Sequence, residues 1–307
     1  MALKSLSLPL VIMTHKAGFI NILGKPNVGK STLMNALLGE KLSIATAKAQ
    51  TTRHRIMGMM NTDDFQMVFS DTPGILDPQY KLHEHMMHYV DEALRDADVV
   101  LLVTEAGDSP EKGDDLYKRV IERLSRFEIP VLAVINKIDR LEPEKVEEDR
   151  QLWQTALPKA EIFTVSALKN IGVINLYARL IELLPENPPY YDKEALSDRP
   201  LRFFAAETIR EKIFLNYKKE IPYSCEVEIE EYKENEEIDH IRAVIYVERD
   251  SQKGIIIGHK GEPLKKTASA ARVDLEAFLG KKVYLEVFVK VKPGWRSNEG
   301  VLKKFGY

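Results

Sequence analysis

Cysteine is almost absent from this sequence, since Cys225 stands alone among 307 residues. An internal disulfide is therefore excluded, which fits a reducing compartment, and we interpret Cys225 as a small buried residue within a strand. Long hydrophobic runs are lacking as well. The apolar segment at residues 6–13 is shorter than the roughly 20 residues that a transmembrane helix needs, and no small-residue cleavage site follows it. We therefore expect a soluble protein, and the sequence leaves open whether translation starts at Met1 or Met13.

The net charge is only −3, and a content of 44% hydrophobic and 30% charged residues is typical of a soluble protein. The length is sufficient for two domains with separate cores. Charge is unevenly distributed, because residues 220–239 contain nine acidic side chains and one lysine, whereas residues 253–307 contain twelve lysines and arginines and five acidic residues. One side of this C-terminal region should therefore attract polyanions while another side repels them.

Short apolar runs alternate with amphipathic stretches over residues 19–184. Strands are predicted at residues 19–23, 54–60, 66–70, 99–104, 131–135 and 161–165, and helices at residues 31–38, 82–95, 114–127, 143–156 and 171–184. This alternation predicts an α/β domain with a mainly parallel sheet and helices on both faces. Three prolines among residues 185–189 end the pattern and indicate a stiff linker.

After Pro200 the predicted order of elements changes to α-β-β-α-α-β. The elements are a helix at 201–217, strands at 224–231 and 239–248, a short helix entering a glycine-flanked turn, a helix at 263–279 and a strand at 282–291. We therefore expect an N-terminal extension (1–17), an α/β domain (18–184), a linker (185–200) and an α+β domain (201–307).

The strongest motif is Gly24-Lys-Pro-Asn-Val-Gly-Lys-Ser31, which matches the phosphate-binding loop G-x-x-x-x-G-K-[ST] in full, between a predicted strand and a predicted helix. Its glycines let backbone N–H groups surround phosphate oxygens, and the start of the next helix favours negative charge. Lys30 should reach the β- and γ-phosphates, and the Ser31 hydroxyl should bind Mg²⁺. The expected contacts are Gly24, Lys25, Pro26, Asn27, Val28, Gly29, Lys30, Ser31 and Thr32.

Two further segments complete the predicted phosphate and metal site. Asp71-Thr72-Pro73-Gly74 follows a strand, so the Asp71 carboxylate can hold Mg²⁺ and the Gly74 N–H can sense the γ-phosphate. The segment Lys48-Ala-Gln-Thr-Thr-Arg-His-Arg55 occupies the first switch, where a threonine supplies a second hydroxyl to Mg²⁺. Thr51 and Thr52 are both candidates, and we favour Thr52 because it forms a Thr-Arg pair with Arg53. The expected metal ligands are Ser31, Thr52 and Asp71.

Base selection is assigned to Asn136-Lys137-Ile138-Asp139, again at a strand end. The Asp139 carboxylate can accept hydrogen bonds from N1–H and the N2 amino group of guanine, and adenine offers neither donor there. Lys137 can lie along the base and reach back to the phosphate loop. The backbone of Ser166-Ala167-Leu168 is the expected contact to guanine O6. The order and spacing of these motifs are those of a GTP-binding fold.

The second domain carries Gly254-Ile-Ile-Ile-Gly258-His259-Lys260-Gly261, followed by a basic helix with Lys265 and Lys266. An apolar helix turn that ends in G-x-x-G is typical of a KH domain, whose loop clamps about four single-stranded nucleotides by their backbone. The order α-β-β-α-α-β matches the type II KH topology. The expected RNA contacts are Gly254, Ile257, Gly258, His259, Lys260, Gly261, Lys265 and Lys266. Trp295 could stack on a base, or it could be a packing contact.

Together these motifs closely resemble the Era family of GTPases, from about Gly18 to Tyr307, including the Arg199-Pro200 junction. The resemblance implies GTP hydrolysis to GDP with Mg²⁺, binding near the 3′ end of 16S rRNA and action in assembly of the 30S ribosomal subunit. We also expect a monomer. It also implies a cytoplasmic location with peripheral association at the inner face of the cell membrane. Two alternatives stay open: a C-terminal domain that binds a protein or a membrane, and nucleotide binding without useful hydrolysis.

Catalysis departs from the Ras-like pattern, in which a glutamine just after D-x-x-G orients the attacking water. Ile75 occupies that position here and cannot orient water. The chain resembles GTPases in which an asparagine of the phosphate loop helps bind a potassium ion, and Asn27 stands at that position. The predicted catalytic residues are Lys30, Asn27, Thr52 and Gly74, with K⁺ as a candidate cofactor. The alternative is slow, partner-dependent chemistry.

Overall fold

The computed structural model describes residues 15–46 and 48–307. The apolar segment at residues 6–13 and the question of Met1 or Met13 therefore lie outside the described residues. Across these two ranges, none of the helices combines the length and the apolar character that crossing a bilayer requires.

A six-stranded sheet forms the N-terminal half, in the order β2-β3-β1-β4-β5-β6. Its strands are β1 Lys16–Leu23, β2 Ile56–Asn61, β3 Phe65–Asp71, β4 Val99–Glu105, β5 Val131–Asn136 and β6 Glu161–Thr164. Only β2 runs antiparallel to its neighbour, because a short turn joins it to β3, and the other neighbouring pairs are parallel. The prediction of a mainly parallel sheet in an α/β domain is confirmed.

Helices cover both faces of this sheet, as predicted. They are α1 Lys30–Leu38, α2 Lys81–Arg95, α3 Asp115–Ser125, α4 Pro143–Ala156 and α5 Val173–Leu183. One core lies under α1 and α5 around Ile20, Leu101 and Leu180, and a second lies on the opposite face around Leu102 and Trp153. The sheet is apolar on both sides, which is why its central strands have almost uninterrupted hydrophobic sequences.

The parallel register brings the motifs to one edge of the sheet. Ile22 at the end of β1 pairs with Asp71 at the end of β3, and Glu105 at the end of β4 pairs with Asn136 at the end of β5. The loops that carry the chemistry therefore meet beyond the carboxyl ends of the strands, which is where open α/β sheets bind ligands.

The proline-rich segment at residues 185–200 contains no helix or extended strand, but it lies against the first domain. The Gln66 side-chain oxygen accepts hydrogen bonds from the Tyr190 and Tyr191 amides, and the Met59 amide donates to the Leu196 carbonyl. The segment thus follows the exposed edge strand β2 and satisfies part of its backbone, which protects that edge from pairing with other chains.

The C-terminal half contains α6 Leu201–Asn216, α7 Ile221–Ser224, β7 Glu226–Lys233, β8 Ile238–Val247, α8 Asp250–Ile257, α9 Glu262–Leu279, β9 Lys282–Val291 and α10 Glu299–Lys304. The sheet order is β7-β8-β9, with β7 antiparallel and β9 parallel to β8. The predicted α-β-β-α-α-β order is present. Helices α7 and α10 were not predicted, because four and six residues are too short for an apolar periodicity to show.

The structure corrects the predicted position of Cys225 and decides between the two interpretations of Trp295. Cys225 is fully buried, but it precedes β7 instead of lying inside it. Trp295 has no exposed surface, and its indole Nε1 donates to the Ser224 carbonyl at 3.1 Å. It packs with Leu76 and Leu82 of the first domain. Trp295 is therefore a packing contact and cannot stack on a base.

Candidate functional site

The phosphate-binding loop crosses from β1 to α1 in a conformation that depends on glycine. Gly29 has φ 98°, and a Cβ at this position would lie 2.3 Å from Nδ2 of Asn136. Lys30 is buried, and its Nζ donates to the carbonyls of Gly24 (3.1 Å) and Lys25 (2.9 Å). Burial lowers the pKa of Lys30 to about 8. The ammonium group is thus held inside the loop that is expected to surround the phosphates.

Three side-chain oxygens from separate elements meet at the start of α1, and we call Ser31, Thr52 and Asp71 the oxygen cluster. Ser31 Oγ donates to Asp71 Oδ2 at 2.6 Å and lies 2.9 Å from Thr52 Oγ1, which in turn lies 3.2 Å from Asp71 Oδ2. Asp71 Oδ1 is buried without a hydrogen-bond partner among the described residues. Burial raises the pKa of the Asp71 carboxyl. Two hydroxyls and a carboxylate are hard oxygen donors, so the cluster fits Mg²⁺.

The segment after Asp71 is fixed against the phosphate loop. The Thr72 hydroxyl donates to the Ile22 carbonyl at 2.7 Å, and the Ile75 amide donates to the Gly24 carbonyl at 3.0 Å. Pro73 and Gly74 are buried, and a Cβ on Gly74 would lie 2.6 Å from the Pro26 backbone. The Ile75 side chain is only 2% exposed and belongs to the hydrophobic core. It contributes packing and no water-orienting group.

The base-recognition motif is joined to its neighbours by hydrogen bonds. Asp139 Oδ1 accepts from the Ser166 hydroxyl at 2.6 Å, and this bond lowers the pKa of Asp139, which keeps the carboxyl group ionised. Lys137 Nζ donates to the Asn27 carbonyl at 2.5 Å and pairs with Glu105. Leu168 is largely exposed at the rim.

A cleft connects the phosphate loop with the first switch. Asn27 lies at its wall with φ 65°, and its carbonyl is held by Lys137. The residues that line the cleft are Pro26, Asn27, Gly29, Lys30, Ser31, Thr32, Ile44, Ala45, Thr46, Lys48, Gln50, Thr51, Thr52 and Gly74. Eight of the predicted nucleotide or metal contacts therefore share one cleft, and Thr51 reaches it together with Thr52.

The second predicted site lies in the C-terminal half, where α8 ends at Ile257 and α9 begins at Glu262. Gly258 has φ 67°, and a Cβ there would lie 2.3 Å from the Pro263 ring, so a side chain would disrupt the turn. His259 and Lys260 are exposed at the tip. Lys265, Lys266 and Gly254 are exposed on the flanking helices, whereas Ile257 and Gly261 are half-buried. The turn therefore presents backbone and cations to solvent.

Sequence reasoning missed the residues that join the two halves. Arg53 and Arg210 are both buried, and each donates from one half of the chain to carbonyl oxygens of the other. Glu105 was missed as the partner of Lys137. No periodicity or spacing identifies such partners. The Arg53 and Arg210 contacts depend on how the two domains meet, and the pair of Lys137 with Glu105 depends on β4 and β5 lying side by side in the sheet.

Comparison with known proteins supports the domain type predicted for each half of the chain. The family described as 50S ribosome-binding GTPase matches residues 19–137, and the KH domain family matches residues 220–296. GTPase Era of Thermoanaerobacter sp. (strain X514) is 42% identical, over 96% of this chain and 97% of the relative. The chloroplastic GTPase ERA1 of Zea mays is 43% identical, over 95% of this chain and 71% of the relative.

Two solved structures share the whole architecture. One is a crystal structure of Era in complex with MgGDPNP and nucleotides 1506–1542 of 16S ribosomal RNA, with TM-score 0.90 and 38% identity over 95% of this chain and 99% of that chain. The other is a point variant of Aquifex aeolicus Era bound to GDP and AlF4⁻, with TM-score 0.88 and 38% identity over the same shares of the two chains. The P-loop GTPase domain, the C-terminal KH domain and the sequence identity over nearly the full chain lead to one assignment: this chain belongs to the Era family of GTPases.

Proposed function

We propose that this GTPase binds the single-stranded 3′ end of 16S rRNA through the loop at residues 258–261 and acts in assembly of the 30S subunit. The observation that carries the proposal is the exposed turn with His259 and Lys260 at its tip, in a chain 38% identical to an Era structure that holds nucleotides 1506–1542 of 16S rRNA. A glycine-flanked turn lets an RNA backbone approach closely, and the cations neutralise phosphates.

In the first domain we assign nucleotide contacts to the residues that the structure gathers at the sheet edge. Lys30 neutralises the β- and γ-phosphates, Asp139 selects guanine, and the Gly74 backbone amide senses the γ-phosphate. The oxygen cluster of Ser31, Thr52 and Asp71 would hold Mg²⁺, which offsets negative charge on the phosphates when bound. Because these groups are fixed by hydrogen bonds before the reaction, little reorganisation is needed when charge develops.

The RNA site can be tested with the variant His259→Asp/Lys260→Asp. Two carboxylates replace a cation and a polar side chain at the loop tip, so affinity for a 3′-terminal 16S rRNA fragment should fall strongly. The log–log slope of affinity against salt should become shallower by about 0.7 per lost phosphate contact for single-stranded RNA. GTP binding should survive, because the loop is exposed and lies in the other domain.

A matched control is Lys303→Asp/Lys304→Asp, on α10, which changes the charge by −4, against −3 for the loop variant, in an element other than the turn. This control should bind the fragment nearly as well as the original chain. If the control loses affinity and the loop variant keeps it, the basic C-terminal segment is the RNA surface and the proposal is wrong.

For hydrolysis we propose that a monovalent cation, K⁺, assists the chemistry beside Asn27. The support is that Ile75 is buried and offers no polar group, while Asn27 lies at the wall of the cleft. Turnover should be faster in potassium than in sodium, and Asn27→Ala should reduce the difference. Equal rates in both salts would remove this part of the proposal.

We further propose a cytoplasmic location, a monomeric state and, from the family resemblance, peripheral association with the inner face of the cell membrane. Sedimentation with anionic vesicles tests the membrane association, and light scattering during size-exclusion chromatography tests the monomer. Fractionation of cells tests the location.

A further inference from the structure

The KH half of the chain holds the first switch on both sides of Thr52. On one side, the Thr51 carbonyl accepts a hydrogen bond from Nη2 of Arg210, which belongs to α6. On the other side, Arg53 Nη1 donates to the Cys225 carbonyl at 2.7 Å and pairs with Glu226 at 2.9 Å. Thr52, which is expected to bind Mg²⁺, therefore lies between two residues that are both hydrogen-bonded to the KH half.

The Arg210 side chain donates hydrogen bonds from a fixed orientation. Its side chain is only 1% exposed, its Nε donates to Glu207 Oε1 at 2.7 Å, and its guanidinium lies 5.6 Å from the Phe214 ring. A guanidinium bound by a carboxylate through two nitrogens has little freedom to rotate. The remaining N–H groups are therefore aimed in a fixed direction, and one of them meets the Thr51 carbonyl.

The second contact, between Arg53 and the KH half, is also held rigidly. Burial alone would lower the pKa of Arg53, but the neighbouring Tyr307 and Glu226 raise it, so the guanidinium stays charged. Its Nη2 also donates to the Pro222 and Tyr223 carbonyls, both at 3.2 Å. A buried charge with this many acceptors moves only at a large energetic cost.

We propose that Arg210 is a positioning residue for GTP hydrolysis: it holds the Thr51–Thr52 peptide so that the Thr52 hydroxyl stays in the oxygen cluster. The peptide plane is rigid, so fixing the Thr51 carbonyl fixes the nitrogen and Cα of Thr52. Thr52 Oγ1 then lies 2.9 Å from Ser31 Oγ and 3.2 Å from Asp71 Oδ2. This inference rests on the proposed role of Thr52 toward Mg²⁺.

The test compares the double variant Glu207→Ala/Arg210→Ala with the original full-length chain. Removing both partners avoids leaving a lone carboxylate in a buried place. The measurement is fluorescence binding of a non-hydrolysable GTP analogue and of GDP across a range of Mg²⁺ concentrations. Switch threonines bind the metal only when the γ-phosphate is present. Loss of one charged hydrogen bond should therefore raise the Mg²⁺ concentration needed for the analogue by about tenfold, and leave GDP binding unchanged.

Two further variants make the result specific. Arg202 lies on the same helix, and its guanidinium donates to the Ile229 carbonyl within the KH half. The variant Arg202→Ala should therefore leave the Mg²⁺ dependence of both nucleotides unchanged. Arg210→Lys keeps the buried charge beside Glu207, but the lysine side chain is too short to bond both Glu207 and the Thr51 carbonyl. It should therefore also raise the Mg²⁺ concentration that the analogue needs. It serves as the decisive variant if the double variant does not fold, as judged by circular dichroism.

Thr52→Ala separates this inference from the proposed function on which it rests. If Thr52→Ala raises the Mg²⁺ requirement and the Arg210 variants do not, the positioning role of Arg210 is wrong and the metal assignment stands. If Thr52→Ala has no effect, the assignment of Thr52 fails, and the role of Arg210 fails with it. Equal weakening of GDP and the analogue in the Arg210 variants would show a merely structural role and also overturn the inference.

Discussion

The Asn136 side chain connects the base-recognition motif to the phosphate-binding loop. Its Nδ2 donates to the Val28 carbonyl at 3.0 Å, and its Oδ1 accepts from the Ala167 amide, also at 3.0 Å. Asn136 is buried, so both bonds are shielded from water. One amide thereby sets the distance between the loop expected to contact phosphate and the two loops expected to contact the base.

Asn136→Ala should weaken GDP binding by at least about tenfold, because two buried polar groups lose a partner at a cost of roughly 1 to 3 kcal/mol each. Asn136→Asp should weaken binding at least as much, because it removes the donor and places a buried carboxylate oxygen against the Val28 carbonyl. Isothermal titration with GDP measures both affinities. Unchanged affinity in Asn136→Ala would show that the loops are held by other contacts.

We expect Lys30 to make nucleotide affinity depend on pH in the alkaline range. Burial lowers the pKa of Lys30 to about 8, and the protonated form is the one that attracts phosphate. The affinity for GDP should be constant below that pH and should fall as pH rises above it, by up to tenfold per pH unit. Titrations between about pH 7 and pH 9 test this, with intrinsic fluorescence confirming that the chain stays folded. A flat profile would mean that the Lys30 ammonium does not govern affinity.

Asp139→Asn should move nucleotide preference from guanine toward xanthine. An amide at this position can donate to the C2 oxygen of xanthine, whereas it can no longer accept both guanine donors. The original chain should bind GTP far better than ATP for the same reason. Competition between GTP, XTP and ATP for a fluorescent nucleotide measures all three. Equal binding of ATP and GTP by the original chain would refute the role assigned to Asp139.

The sequence predicted the sites at the level of motifs, because each motif is a contiguous loop between a strand and a helix. Examples are the loop ending in Lys30-Ser31 and the turn from Gly258 to Gly261. It did not predict the contacts between domains, such as Arg210 with Thr51, which are 159 residues apart. It also left two interpretations of Trp295 open, with packing favoured over RNA stacking, because an aromatic residue beside basic ones is compatible with both.

Cys225 offers a simple probe of the KH half. Burial raises the pKa of its thiol to about 12, and the side chain has no exposed surface. At neutral pH it should therefore react with iodoacetamide far more slowly in the native chain than in the urea-unfolded chain. Mass spectrometry counts the added group, and because there is only one cysteine the count is unambiguous. Similar rates in both states would place Cys225 at the surface.

We propose the KH turn as the RNA-binding surface of this GTPase. The most direct measurement is ultraviolet crosslinking of the full-length chain to a 3′-terminal fragment of 16S rRNA, followed by mapping of the modified peptides. We expect crosslinks within residues 254–266, which contain the turn and its flanking lysines. Crosslinks confined to residues 290–304, with none at the turn, would contradict it.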